Sequence, residues 1–154
     1  MSRLSIDIHP LEAGHRHAMQ LHLMGLDAAD RHARFGCTLS DTALIAWAQG
    51  IDWRQDRWWG AWTADAEQGL LGALQLTPTR QSGTWELALT VHPALRRQGV
   101  ATALLKTAAG AGKGAAVTTL VCENGHPAVP RMARTLGWRV RLQDQSHSVW
   151  LDLP

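Results

Sequence analysis

The stretch Val91-His92-Pro93-Ala94-Leu95-Arg96-Arg97-Gln98-Gly99-Val100-Ala101 holds the residues best arranged for chemistry. An alternating, strand-like run leads into Pro93, and a helical stripe of Val100, Leu104, Leu105 and Ala108 begins directly after Gly99. The first turn of a helix presents N–H groups without intrahelical partners and the positive end of the helix dipole. Together these form an anion site suited to a pyrophosphate. Gly99 lets a ligand approach the backbone closely, and Ala101 keeps that face small. Arg96 and Arg97 bring guanidinium groups within reach of phosphate oxygens.

Other constellations are incomplete. Gly110-Ala111-Gly112-Lys113-Gly114 lacks the upstream Gly and the Ser/Thr after Lys113 that a P-loop needs, and the final Gly of a dinucleotide fingerprint. No Gly-x-Ser-x-Gly elbow or zinc-deaminase signature occurs. His15, His17, His22 and His32 invite a metal site, and His15 and His22 share a helical face. No carboxylate or Cys completes a ligand set, so no metal is expected and these residues read as structural histidines.

The elements that must position the anion turn can be read from periodicity. Leu4 to Ile8 alternates as a strand. From Leu11 to about Leu26 a stripe of His15, Met19, His22 and Leu26 predicts a helix. Ser40 or Asp41 caps the next helix, whose face is Leu44, Trp47, Ala48 and Ile51. Strands are expected over 57–62, 70–76 and 85–91, with turns at Asp65–Gly69 and Pro78–Gly83. A helix over 99–109 is expected to break at Gly110, Gly112 and Gly114. A strand over 117–122, a helix over 129–136 and strands over 138–142 and 149–153 close the chain. The order β-α-α-β-β-β-α-β-α-β-β predicts a single α/β layered domain over residues 1–154.

Composition sets the outer limits. A chain of 154 residues can bury roughly 70% of its unfolded surface, enough for a core without disulfides. The net charge of +2 argues against a phosphate-backbone binder, so no nucleic-acid partner is expected. No apolar run reaches the length of a membrane span, and Met1 to Ile6 has no signal-peptide core. With only Cys37 and Cys122, the expectation is a soluble, reducing, cytoplasmic setting without membrane partners. Tyr is absent, while there are eight Trp. Trp53, Trp58 and Trp59 read as core, the alternatives being an acceptor cleft or a homodimer contact. Arg131, Arg134, Arg139 and Arg141 read as a solvated face.

Arg96-x-x-Gly99-x-Ala101, at a strand-to-helix junction, resembles the Arg/Gln-x-x-Gly-x-Gly/Ala acyl-CoA signature of the GNAT N-acetyltransferase superfamily. Glu86-Leu87-Ala88-Leu89-Thr90-Val91-His92-Pro93 is similar to that family's fourth strand, and the element order matches over nearly the whole chain. The resemblance implies a mixed, mostly antiparallel central sheet flanked by about four helices. It implies acetyl-CoA, or another acyl-CoA, as co-substrate, and an amine as acceptor. Cofactor contacts would fall on Arg96, Arg97, Gln98, Gly99, Val100, Ala101 and Thr102, with the pantetheine arm against the strand around Leu89 and Val91. A backbone N–H of that strand would polarise the thioester oxygen.

The resemblance also frames the proton chemistry. The amine must attack as a free base, and Glu86 is the first candidate to receive its proton, the alternative being an exposed strand carboxylate in an ion pair. The family's general-acid Tyr lies four residues before the Gly of a Leu-Gly-Phe motif. Here the motif reads Leu136-Gly137-Trp138 and the position is Ala133, so that mechanism is excluded. The family's Asn after the fifth strand corresponds to Asn124, or by counting back from Gly137 to His126. His126 is then a second acid–base candidate, or a loop residue stabilising the turn before Pro127. Cys122 reads as a buried structural thiol, because transfer in the family is direct. A catalytically silent acyl-CoA-binding module on the same fold is the alternative to an enzyme.

Overall fold

The computed structural model describes residues 5–63, 69–123, 127–142 and 148–154. Strands β1 (Ile6–Pro10), β2 (Arg57–Thr63), β3 (Gly72–Pro78), β4 (Thr84–Val91), β5 (Thr119–Glu123), β6 (Arg139–Leu142) and β7 (Ser148–Asp152) form one sheet in the order β1-β2-β3-β4-β5-β7-β6. Every pairing is antiparallel except β4 with β5. Helices α1 (Arg16–Met24), α2 (Ala28–Phe35), α3 (Asp41–Gln49), α4 (Val100–Gly114) and α5 (Ala128–Thr135) cover the sheet. This is the mixed α/β layered fold that the element order predicts. No helix among the described residues is long and apolar enough to cross a membrane.

Strand alternation sorts the apolar residues into two cores. Leu74, Leu76 and Leu87 point with Leu120 and Leu151 toward Leu104, Leu105 and Ala108 of α4 and Val129 and Ala133 of α5. Trp58 and Ala73, on the opposite face, pack against Met19 and Leu23 of α1 and Leu44 and Ala48 of α3. Trp47, Trp53 and Trp58 stack edge-on or tilted in this second core, and Trp59 packs against the first. The core reading of these tryptophans therefore holds.

Three expectations need correction. The single helix expected over 11–26 is a 3-10 turn at Ala13–His15 followed by α1, and α2 follows as a separate helix. Asp27 caps α2 by accepting from the Asp30 N–H at 2.9 Å, and Gly36 ends it in the left-handed region at φ 75°. With Asp30, Arg31, His32 and Arg34 in its eight residues, α2 has little apolar stripe to reveal it. Gly110, Gly112 and Gly114 do not break α4, which runs on to Gly114. Gly112 is buried, and a Cβ there would lie 2.9 Å from Leu153 Cδ1, so this glycine serves close packing. Strand ends shift by one to two residues; Pro78 closes β3 opposite Trp85 rather than opening a turn. Of the turn expected at 65–69, only Gly69 lies within the described residues.

Two buried contacts fix the end of β4 from which the anion turn departs. Gly72, paired with Val91, lets α4 lie directly on the sheet: a Cβ there would sit 2.9 Å from Val100 Cγ1 and 3.0 Å from Leu104 Cδ1. On the other face His22 of α1 is buried between Leu70 and Thr90. The Leu70 carbonyl can only accept, so Nδ1 carries the proton at 3.2 Å, and Nε2 accepts from the Thr90 hydroxyl at 2.8 Å. The imidazole is thus held neutral, and burial lowers its pKa from 6.5 to about 4.

Gly72→Val overpacks the seam between β3 and α4. It is expected to cost about 2 kcal/mol and lower Tm by about 6 °C in a thermal melt. For His22, the folded protein disfavours the charged form, so its contribution is complete above pH 6.5 and is lost as pH falls from 6.5 toward about 4. Stability measured by urea titration should fall by up to about 1.4 kcal/mol per pH unit in that window. His22→Gln should flatten that slope while lowering stability at pH 7.

Candidate functional site

β4 and β5 run side by side for only three residue pairs, Thr84–Thr119, Trp85–Leu120 and Glu86–Val121, and then part. β4 continues to Val91, paired on its other edge with β3 throughout. From Leu87 onward, the edge of β4 facing β5 has no strand partner among the described residues. A cavity of about 900 Å³ opens there, walled by β4, β5, α2, α5 and the turn leading into α4. Backbone N–H and C=O groups need partners, so this exposed strand edge is suited to an extended, amide-bearing ligand.

The anion turn lies at one end of the cavity. His92 Nδ1 accepts from the Ala94 N–H at 3.1 Å and starts a 3-10 turn over Pro93–Leu95. Arg97 then adopts φ 64° and Gly99 φ 87°. Left-handed residues of this kind occur in turns whose backbone N–H groups can face an anion. Gly99 is the N-cap of α4, a 15-residue helix, and supplies no capping side chain to the first N–H groups, which are the kind of donors that can bind an anion. Gly99, Val100, Ala101 and Thr102 all line the cavity beside Arg96 and Arg97. Arg96 has a partner the sequence did not suggest: its guanidinium pairs with the carboxylate of Asp30 on α2. The turn leading into α4 and helix α2 are therefore tied together.

Glu86 of β4 lines the cavity from its last residue paired with β5, and its side chain is solvent-exposed. Leu89 and Val91 line the same wall toward the anion turn. Cys122 lies across from them, and burial pushes its thiol up to about 11, so it stays protonated at neutral pH. Glu123 follows, with its Oε2 accepting from the Ser148 hydroxyl at 2.6 Å. Ala133 is fully buried in the first core, and α5 instead offers Met132 and Thr135 to the cavity. The position of the family's acid is here a packing position. Asn124 and His126 lie outside the described residues. Gln98 is exposed within the anion turn.

Of the four histidines, His22 is the structural tie described above, and His17 and His32 are exposed. His15 Nδ1 accepts from the Glu12 N–H at 3.1 Å. Among the described residues no group of three or more His, Cys, Asp or Glu could hold a metal.

Arg34 of α2 is a cavity residue that the sequence did not mark. It is half-buried, with its guanidinium over the rings of Phe35 (4.9 Å) and Trp47 (5.2 Å). Its Nη2 donates to Gln75 Oε1, and Gln75 Nε2 donates to Asp56 Oδ2 at 2.6 Å. Burial lowers its pKa to about 10, and the nearby charge of Glu86 partly opposes that shift, so it remains a cation at neutral pH. The available signal was the Asp30–Arg34 spacing, which puts both residues on one face, but that pattern also fits an ordinary solvated helix.

The Acetyltransferase (GNAT) family profile matches residues 26–138. No curated protein matches the chain. Solved structures of similar fold include an N-acetyltransferase from Staphylococcus aureus Mu50, at 16% identity and TM-score 0.70, covering 97% of this chain and 99% of that one. The GNAT domain of S. lividans PAT aligns at 18% identity and TM-score 0.68, over 94% of this chain and 87% of that one. The structure of yncA from Salmonella typhimurium with its cofactor acetyl-CoA aligns at 16% identity and TM-score 0.65, over 97% and 95%. At such identities the likeness is one of fold; the profile, spanning most of the sequence and the whole cavity from α2 to α5, shows that the chain belongs to the GNAT acetyltransferase family.

Proposed function

We propose that the protein transfers an acetyl group from acetyl-CoA directly to an amine bound in the same cavity. The observation that carries this reading is the parting of β4 from β5 next to the start of α4, which Gly99 leaves without a side-chain cap. The residues fit the co-substrate. The left-handed pair Arg97 and Gly99, with Val100, Ala101 and Thr102, would hold the diphosphate. The open edge of β4 around Leu89 and Val91 would pair with the pantetheine amides. Acetyl-CoA supplies the acyl group as a thioester activated toward amines.

The chain's own contribution is positioning and proton handling. An N–H on the open edge of β4 is available to stabilise charge developing on a carbonyl oxygen. Glu86 takes the proton from the attacking amine, directly or through a water. The protonated thiol of Cys122 supports direct transfer over an acyl-enzyme. With Ala133 in the core and no Tyr in the chain, no phenol protonates the departing thiol; a CoA thiol is acidic enough to leave without one. The buried Ala133 also motivates a second reading, an acyl-CoA-binding module without transferase activity.

A thiol-release assay with acetyl-CoA and a panel of amines tests the two. Acceptor-stimulated release supports transfer, and tight acetyl-CoA binding without any stimulated release favours the silent module. Gly99→Val forces a β-branched residue into positive φ and should weaken acetyl-CoA binding by about 100-fold in calorimetry, since each hydrogen bond to a charged group is worth roughly 1.5–3 kcal/mol. Unchanged affinity would place the diphosphate elsewhere. Glu86→Gln should lower kcat by about 100-fold and remove the Glu86 limb of the pH–rate profile; an unaltered profile would dismiss Glu86 as the base.

A further inference from the structure

Arg34 is a half-buried cation whose carboxylate neighbours are all committed elsewhere or out of contact. Asp30, one turn earlier on the same helix face, is taken by Arg96. Asp56 is reached only through the neutral amide of Gln75. Glu86 is near enough to influence its charge, yet among the described residues Arg34 forms no ion pair. One Nη donates to Gln75; no partner among the described residues is recorded for the other donors of the guanidinium, which lines the cavity. Taking a cation out of water without a counter-ion is costly, and a ligand anion would offset that cost.

The geometry selects the anion. A guanidinium resting over two aromatic rings and donating to Gln75 is held in place, and its planar fork matches the two oxygens of a carboxylate. Glu86 and Glu123 flank the same cavity, so a dianion would be repelled whereas a group bearing an adjacent cation would be attracted. A cation beside two carboxylates is the complement of a zwitterion. The same arrangement would bring the amine toward Glu86, the residue that must deprotonate it. The diphosphate site lies at the far end of β4, at the start of α4, so Arg34 is not needed there.

We propose that Arg34 binds the carboxylate of the acceptor, and that the acceptor is a free amino acid acetylated on its amine. This rests on the transferase reading above. In balanced form, the ammonium of the bound zwitterion first gives one proton to Glu86, which passes it to solvent; the free amine nitrogen then bonds to the thioester carbonyl carbon, the C–S bond breaks with its electron pair staying on sulfur as CoA thiolate, and the second proton lost from nitrogen ends on that thiolate through water, giving CoA thiol. Arg34 takes no part in bond making; it holds the carboxylate so that the amine faces Glu86.

The test uses the full chain, acetyl-CoA, and matched sets of amino acids, their methyl esters and the corresponding decarboxylated amines. Free amino acids should exceed their esters and decarboxylated amines in kcat/KM by about 100-fold, the range expected for a bidentate charged contact. Arg34→Met should abolish that discrimination, chiefly through KM, while acetyl-CoA affinity is kept. Arg34→Lys, which keeps the charge and loses the fork, should retain about a tenth of it. Esters or simple amines turned over as well as the acids by the unaltered protein would overturn the proposal, as would equal losses for acid and ester in Arg34→Met. Should no amine stimulate thiol release, calorimetric titration of amino acids into CoA-loaded protein separates the two ideas. Binding that requires both the carboxylate and Arg34 upholds the assignment of Arg34 to an amino-acid carboxylate while overturning the transferase reading, and no binding overturns that assignment.

Discussion

The separation of β4 from β5 is the feature on which the rest of the site depends. A parallel pair is normally satisfied along its length, but here the ladder stops after Glu86–Val121, while β4 runs five residues further. The polar backbone of that extension is fixed by β3 on one edge and left available on the other. An open strand edge within a protein needs something to cover it, and an extended amide-containing ligand can do so by strand-like pairing. Closing the gap would satisfy the backbone and remove the cavity.

The cavity end of β4 is held from both faces. Gly72 permits α4 to press Val100 and Leu104 against the sheet, and His22 ties α1 to Thr90 and Leu70. The turn into α4, with Arg97 and Gly99 in the left-handed region, leaves the sheet from this braced point. Preorganisation of this kind lowers the entropy lost when a flexible co-substrate binds.

Helix α2 distributes its charges in three directions. Arg31 donates to the carbonyls of Met24, Leu26 and Leu39 and pairs with Asp41, tying the helix to its flanking segments. Asp30 reaches the turn into α4 through Arg96, and Arg34 lines the cavity with its guanidinium over Phe35 and Trp47. A helix with so small an apolar stripe is held mainly by these tertiary bonds. They also make it an element that reaches both the turn into α4 and the cavity.

What the sequence determined by itself is the part governed by near neighbours in the chain. The alternation of 85–91, the stop at Pro93 and the Gly99 start of a helix each depend on a few adjacent residues, and the strand-to-helix turn was legible for that reason. Ser40 as a cap was legible on the same grounds, its Oγ accepting from the Ala43 N–H at 3.2 Å. Only the tertiary structure decided which polar residues would meet. The Arg96–Asp30 pair spans 66 positions and Arg34–Gln75 spans 41, distances over which no local preference acts. Gly112 lies inside a helix because Leu153, far along the chain, comes to rest against it, and Ala133 faces the core because α5 is rolled that way by Val129 and Trp138. Backbone preferences are set within a few residues, whereas burial and charge pairing are settled only when the whole chain has chosen its path.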